Sequence, residues 1–514
     1  MWDVIVVGSG IGGLTAAAAL SKSGRRVLVL EQHDRAGGLT QTFARQGWVF
    51  APGVHYIGGV GAQPGHGGQF GRLLAWLSDG ALQFAPCANP YDVIRLPGFE
   101  FGIPHPESAY RNALLARFPA HHGAIDRWFV ACEEARQSAF TLFALHSMPA
   151  WLAWGMRMWR GDEAQHWSRH TLADELAKLD NPQLVAVLGA RWADYGAPPS
   201  SAPFVEHALV TGSYNNGAYY PVGGPARFAQ ALVAVIEAAG GEVRLNADVK
   251  HIATCSGCVT GVQYEQGGQR YHESVRQVVS AMGVRNTVDR LDPSDAKDWQ
   301  QAIRNMAPGI THIALYLGLE GDIAAAGASG ANYWIFESDD IAQVWRDPVE
   351  KDAPGFFVSF PSQKDGSAHS QPSAEVVAVV DPAVFAKWMA NPDGERPEDY
   401  LALKAWIQQR LLAQFLRHFP RMQGMVRLQE LSTPLTQRHF VRSPDGAMYG
   451  IEMSAERLNS PALHVRTPVA GLLLAGQDVT GPGVEGASMG GLLAAASLER
   501  SIWSVFEKSL RGTA

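Results

Sequence analysis

The sequence predicts an α/β fold of two or more domains built around a parallel sheet, and three observations carry that reading. The chain has 514 residues, more than the roughly 250–300 that a single hydrophobic core usually supports. Its opening stretch runs apolar strand, glycine turn, helix, apolar strand. Near its end another apolar strand passes through a glycine-rich loop into a helix of small residues. Hydrophobic residues make up 46% and charged ones 18% of the chain, a globular composition. The net charge of −7 excludes nucleic acid as an expected partner, because phosphate binding draws on clustered Lys and Arg.

"DVIVVGSGIGGLTAAAALSKSGRRVLVLEQ" reads as a strand Asp3–Val7, a glycine turn, a helix to about Ser23 and a strand Arg26–Leu30. Gly8, Gly10 and Gly13 form G-x-G-x-x-G, with Ile11 and Gly12 inside it. Gly8 permits the tight turn, Gly10 lets a pyrophosphate approach the backbone, and Gly13 lets the helix lie on the strand, its N-terminus facing the phosphates. Glu31 ends the second strand, where a carboxylate accepts from a ribose hydroxyl and disfavours a 2′-phosphate; Gln32 follows it. Gly37 and Gly38, followed by Leu39, offer a second close backbone approach. The fingerprint serves both NAD and FAD, and the second glycine approach to the pyrophosphate favours FAD as the expected cofactor.

Further along, Phe228, Ala231, Leu232, Val235 and Ile236 share one helical face after a "YYPVGG" turn. "GGEVRLNADVKHI" reads as a turn, a strand and a second strand that enters a hairpin through "CSGCVTGVQYE". Of four Cys, Cys255 and Cys258 fall in that hairpin turn, and no second pair at zinc spacing accompanies them, so no metal site is expected. The strand Gln277–Ala281 returns the chain to the nucleotide-binding region. In "GLLLAGQDVTGPGVEGASMGGLLAAASLERS", Gly476 opens the loop and Asp478 is placed to accept from ribityl hydroxyls. A helix is expected from near Gly486 and Ala487. Its free N-terminal amides stabilise the negative charge of a reduced flavin near N1 and the C2 carbonyl.

The low Cys count favours a reducing compartment, and the N-terminus goes straight into a core strand, without a secretory signal. The expected location is cytoplasmic. From Gln137 to Met156, "QSAFTLFALHSMPAWLAWGM" contains no Asp, Glu, Lys or Arg, and Arg157, Trp159 and Arg160 follow. His146, Ser147 and Pro149 interrupt it, so with Trp151 and Trp154 it reads as an interfacial anchor, or as a buried core helix, rather than a span. Peripheral docking on a membrane surface is the expectation.

The doubled glycine of "EQHDRAGGLT" resembles the FAD-binding superfamily of amine oxidases and phytoene desaturases. "GVHYIGG" (53–59), "YYPVGG" (219–224), "FPSQKD" (360–365), "GAMYG" (446–450) and "GQDVTGPGVEGASMGG" (476–491) resemble the retinol saturase group within it, close to carotenoid isomerases. The resemblance implies a two-domain FAD-dependent oxidoreductase: a Rossmann-type, glutathione reductase-like FAD domain, and a substrate domain of mixed sheet with a helical cap. The corresponding boundaries are 1–75, 216–290 and 441–514 for a discontinuous FAD domain, 76–215 for a helical lid with the membrane-facing segment, and 291–440 for the substrate sheet and helices. It implies non-covalent FAD, a polyene or isoprenoid-type lipid as the hydrophobic substrate, and saturation, desaturation or isomerisation of carbon–carbon double bonds.

On the same resemblance the main chain at Val249 meets the nucleotide, and His55 and Tyr56 lie near the isoalloxazine as candidate proton carriers. Glu485 departs from the group's pattern; it either carries a proton or caps its helix. Tyr219, Tyr220 and Tyr449 are the expected lining of the substrate route, since flat rings suit a flat conjugated chain. Lys364 and Asp365 read as a pair on a surface turn. No second dinucleotide-binding βαβ unit is evident, so an electron donor or acceptor outside the chain is required. A flavin amine oxidase and a non-enzymatic lipid carrier are the alternatives.

Overall fold

The computed structural model describes residues 1–147, 155, 165–367, 371–392 and 394–511. Five parallel strands form the first sheet, in the spatial order Leu472–Leu474, Val278–Ser280, Val4–Val7, Val27–Leu30 and Glu242–Arg244. The two strands of the opening βαβ unit are buried along their whole length. That accounts for their unbroken apolar sequence, since a parallel strand is covered on both faces. Helix Ile11–Lys22 connects them and packs on helices Gly483–Leu498 and Ala226–Ala238. The hairpin of Asp248–Cys255 and Cys258–Gln266 turns through Ser256 and Gly257, both at positive φ, which is the geometry of a tight two-residue hairpin.

The second large sheet has seven strands, ordered Val426–Ser432, Thr311–Leu319, Ser373–Val380, Gly355–Ser359, Asn332–Phe336, Asp92–Leu96 and Phe99–Ile103. Thr311–Leu319 is buried at every position. One face packs on helix Glu398–His418, whose Tyr400, Ile407, Leu411 and Phe415 recur at helical spacing. The last two strands come from the stretch expected as a helical lid. Their alternating apolar positions Ile94, Leu96, Phe99, Phe101 and Ile103 bury against the cap helices instead of forming one.

Helix His122–Ser147 includes the first part of the uncharged stretch, while Trp151, Trp154 and Trp159 lie outside the described residues. Among the described residues no helix is long and apolar enough to cross a membrane. The C-terminal helix begins at Gly483, three residues before the expected Gly486, because Pro482 supplies a pre-set extended cap.

Candidate active site

A long groove follows the carboxyl ends of the parallel strands. Gly8, Gly10, Ile11 and Gly12 line its floor, with Glu31, Gln32, Gly37, Gly38 and Leu39 along one side. Val249 lies at the hairpin end, and Gly476, Asp478 and Ala487 at the other. Gly8 sits at φ +95°, where only glycine is at ease, and a Cβ on Gly10 would meet nothing within 4 Å. The protein therefore leaves open space beside the Gly10 backbone, where a pyrophosphate could lie. Helix Ile11–Lys22 and helix Gly483–Leu498 both begin without a side-chain cap, so their first amides are available to a ligand in the groove.

The two carboxylates expected as ligands are held by the protein's own amides and hydroxyls. Glu31 accepts from the Ser9 amide at 2.8 Å, the Ser9 hydroxyl at 2.6 Å and the His33 amide at 2.8 Å. A carboxylate has about four acceptor positions, so one remains for a ribose. Ser9, which sequence reasoning passed over, also accepts from the Gly37 amide through its hydroxyl at 3.2 Å and its carbonyl at 3.0 Å, tying the two glycine turns together. Asp478 accepts from the Val284 amide at 2.9 Å and the Ile451 amide at 3.3 Å, which joins three loops at the groove wall. Gly486 does not line the groove. With the helix starting at Gly483, its inward face is Gly483, Val484 and Ala487, and Gly486 turns onto Gly481.

A second cavity meets this groove at Leu39, Gly53, Met448 and Tyr449, which line both. Its floor is one face of the seven-stranded sheet: Trp334, Phe357 and Val377 are successive cross-strand neighbours, and His312 pairs with Val379. Trp192 and Asp194, from the turn Ala190–Asp194, stand opposite. Tyr449 packs so closely on Gly196 that a Cβ there would come within 2.5 Å of its ring. Tyr219 and Tyr220 line neither cavity. Strand Tyr219–Pro221 pairs with Phe84–Pro86, and Tyr219 exchanges two main-chain bonds with Ile57, so the strand supports the His55–Tyr56 loop from behind.

His55 lines the second cavity, its Nδ1 2.7 Å from the fully buried carboxylate of Glu375. Glu375 shares a sheet face with Val377 and Val379 through strand alternation. His312 is buried, its Nε2 faces the Gln437 amide at 3.3 Å, and its Nδ1 has no partner among the described residues. Burial, then the nearby His55, holds its pKa down at about 4, so it is a neutral imidazole. Tyr56 lies just behind the cavity, stacked on Tyr214 at 4.6 Å, with its hydroxyl 2.8 Å from Asp194 and 3.4 Å from Asp92. Desolvation, then Asp194, pushes that phenol well above its usual range.

Lys364 is not on a surface turn and does not pair with Asp365. It is 2% exposed, and its ammonium donates to the His55 carbonyl at 2.9 Å, to Ser359 at 2.8 Å and to Asn332. Asp365 instead accepts from the Gly223 amide at 2.6 Å. Desolvation lowers the Lys364 pKa. Glu485 is exposed, its Oε2 3.3 Å from the Cβ position of Gly59, outside the linings of both cavities.

A glycine-cradled groove on a parallel sheet, opening into an apolar cavity on a mixed sheet, defines a two-domain FAD-dependent oxidoreductase. The profile described as Flavin containing amine oxidoreductase matches residues 11–498, and the chain belongs to that family. It is 31% identical over 530 residues to the all-trans-retinol 13,14-reductase of Rattus norvegicus, covering 98% of this chain and 86% of that one. It is 22% identical over 462 residues to the chloroplastic prolycopene isomerase of Daucus carota, covering 87% of this chain and 72% of that one. Among solved structures, the cyclohexylamine oxidase of Brevibacterium oxydans IH-35A shares the fold with a TM-score of 0.60 at 18% identity, covering 99% of each chain.

Proposed function

We propose that the protein adds, removes or rearranges hydrogen at carbon–carbon double bonds of a polyene or related isoprenoid lipid. The observation that carries this reading is the aromatic cavity floored by Trp334, Phe336 and Phe357, which opens onto the groove beside Met448 and Tyr449. FAD supplies hydride transfer at its N5 when bound. In this reading Gly8, Gly10, Gly37 and Gly38 accommodate its pyrophosphate, Glu31 its ribose, Val249 its adenine end, and Gly476, Asp478 and Ala487 its flavin end. His55, fixed by Glu375, orients the loop at the junction. The cavity measures about 100 Å³, enough for a short length of flat chain, so a longer lipid extends beyond it.

The likeness of this chain to proteins named for retinol reduction and prolycopene isomerisation supports the choice of substrate class. The amine oxidase alternative is favoured by the family description and by the solved fold. Against it, burial keeps Asp194, the carboxyl that lines the cavity, protonated up to about pH 7, so it offers a cationic amine little negative charge. The discontinuous FAD domain, the cap and the substrate sheet remain the proposed division of the chain. The Trp-rich stretch remains the proposed membrane contact, and reducing equivalents come from a separate donor.

The deciding experiment mixes dithionite-reduced, FAD-loaded protein anaerobically with all-trans-retinol or a carotene and records the visible and near-ultraviolet spectrum. A blue shift of the polyene band with flavin reoxidation means saturation, and a changed isomer with the flavin still reduced means isomerisation. Unmoved bands, together with peroxide release from amines in air, would replace this reading by the amine oxidase one. Replacing Trp151 and Trp154 by Ala should release the protein from lipid vesicles with flavin still bound; unchanged sedimentation would sink the docking proposal.

A further inference from the structure

Resting on the polyene reading, we propose that Asp194 is the catalytic acid that delivers a proton to the double bond, with Tyr56 as the residue that positions it. Three groups form a chain at the cavity wall: Asp92, Tyr56 and Asp194, joined through the Tyr56 hydroxyl at 3.4 and 2.8 Å. Asp92 is fully buried and Tyr56 is 7% exposed. Asp194 alone of the three lines the cavity and keeps accessible surface.

The other polar groups of that cavity suit the task less well. His55 has its Nδ1 committed to Glu375. His312 is neutral in the working range and is a poor proton source. Glu485 lies outside the cavity lining.

The ionisable groups facing Asp194 are Tyr56, Tyr91, Tyr195, Tyr214, Tyr449, Asp92 and Arg191. Arg191 is 3.9 Å from Asp92 and donates to the Tyr91 hydroxyl at 3.0 Å, so its charge is shared behind the wall. Burial, then Asp92, raises the Asp194 carboxyl to about 7, while the Tyr56 hydrogen bond and Arg191 favour its charged form. A carboxyl so poised is protonated for part of the neutral range and can give that proton up, which is the balance general acid catalysis requires.

Saturation of one double bond consumes a hydride and a proton. When bound, reduced FAD would supply the hydride, with its electron pair, for one carbon. At the neighbouring carbon the two electrons of the π bond form the C–H bond to the proton as the Asp194 O–H bond breaks, its electron pair remaining on the carboxylate. The resulting carboxylate is held by the Tyr56 hydroxyl until cavity water returns a proton.

The test compares wild type, Asp194→Asn and Tyr56→Phe as FAD-loaded proteins with all-trans-retinol as probe. Asn at 194 still offers Tyr56 an oxygen, so FAD content and retinol binding should match wild type while reduction falls about 10²–10⁴-fold. Infrared difference spectra across neutral pH, taken without substrate, should show a protonated-carboxyl contribution that Asp194→Asn lacks, beside the one from Glu206 that both proteins keep. Tyr56→Phe removes a bond that favours the carboxylate, so the alkaline loss of activity should move to higher pH. A wild-type rate in Asp194→Asn, or an infrared band it leaves unchanged, overturns the proposal while the polyene reading stands. Failure of wild type to act on any polyene overturns both.

Discussion

Gly10 is the residue at which fold and cofactor separate most cleanly. Its Cβ position is empty of protein, so Gly10→Val should leave the melting temperature of the apoprotein near wild type and weaken FAD binding by about two orders of magnitude. Flavin content after purification checks this, and a full complement would refute the groove assignment. Glu206 illustrates the cost of a buried acid. It is 3% exposed, and desolvation pushes its carboxyl up to about 7, against the pull of Arg457. A carboxyl raised in the folded state contributes stability that is fully present below its unfolded pKa of about 4 and is lost as pH rises through its folded value of about 7. Glu206→Gln should therefore gain about 2 kcal/mol relative to wild type near pH 8 and little near pH 5, read by denaturant unfolding at the two pH values.

At the scale of elements, two contacts hold the site together. Helices Ile11–Lys22 and Gly483–Leu498 cross through glycine. A Cβ on Gly12 would lie 2.6 Å from Gly476 Cα, and one on Gly491 would lie 2.1 Å from the Gly12 carbonyl. Gly12→Ala should separate the two helices, costing about 1–3 kcal/mol of stability and lowering flavin affinity as well, in contrast to Gly10→Val. Thermal melts of the apoprotein distinguish the two variants. The second contact is Lys364, which joins the His55 loop to the strands Asn332–Phe336 and Gly355–Ser359. Lys364→Met leaves three buried acceptors without that donor and should cost about 1–3 kcal/mol. Wild-type stability in that variant would mean that water takes over the three bonds.

Across the whole molecule, the groove collects segments from residue 7 to residue 487, including the strand ends, the Ala247–Val249 hairpin base and the loop Phe440–Ile451. A ligand bound by all of them favours the folded chain as a unit. FAD at about a hundredfold over its dissociation constant should add about 2.7 kcal/mol to stability. Riboflavin, which lacks the pyrophosphate and adenosine, should add far less, and melts with each ligand check the difference.

The sequence by itself determined the parts whose geometry is written locally. The strand, glycine turn and helix of Val4–Lys22 follow from apolar runs and from Gly8 at positive φ, because the backbone angles of a residue depend on its own side chain and its neighbours. Glu31 was legible in the same way, by its distance from the glycines. Only tertiary structure decided which groups share a cavity and in what state. Asp194 becomes a raised acid because the fold desolvates it and brings Asp92 near it, against the pull of the Tyr56 hydrogen bond, and Lys364 is buried because His55, Asn332 and Ser359 surround its amine. Tyr219 and Tyr220 are turned away from the cavities by pairing with Phe84–Pro86. Proton affinity and hydrogen-bond satisfaction depend on desolvation and on partners tens to hundreds of residues away, and no local pattern encodes those.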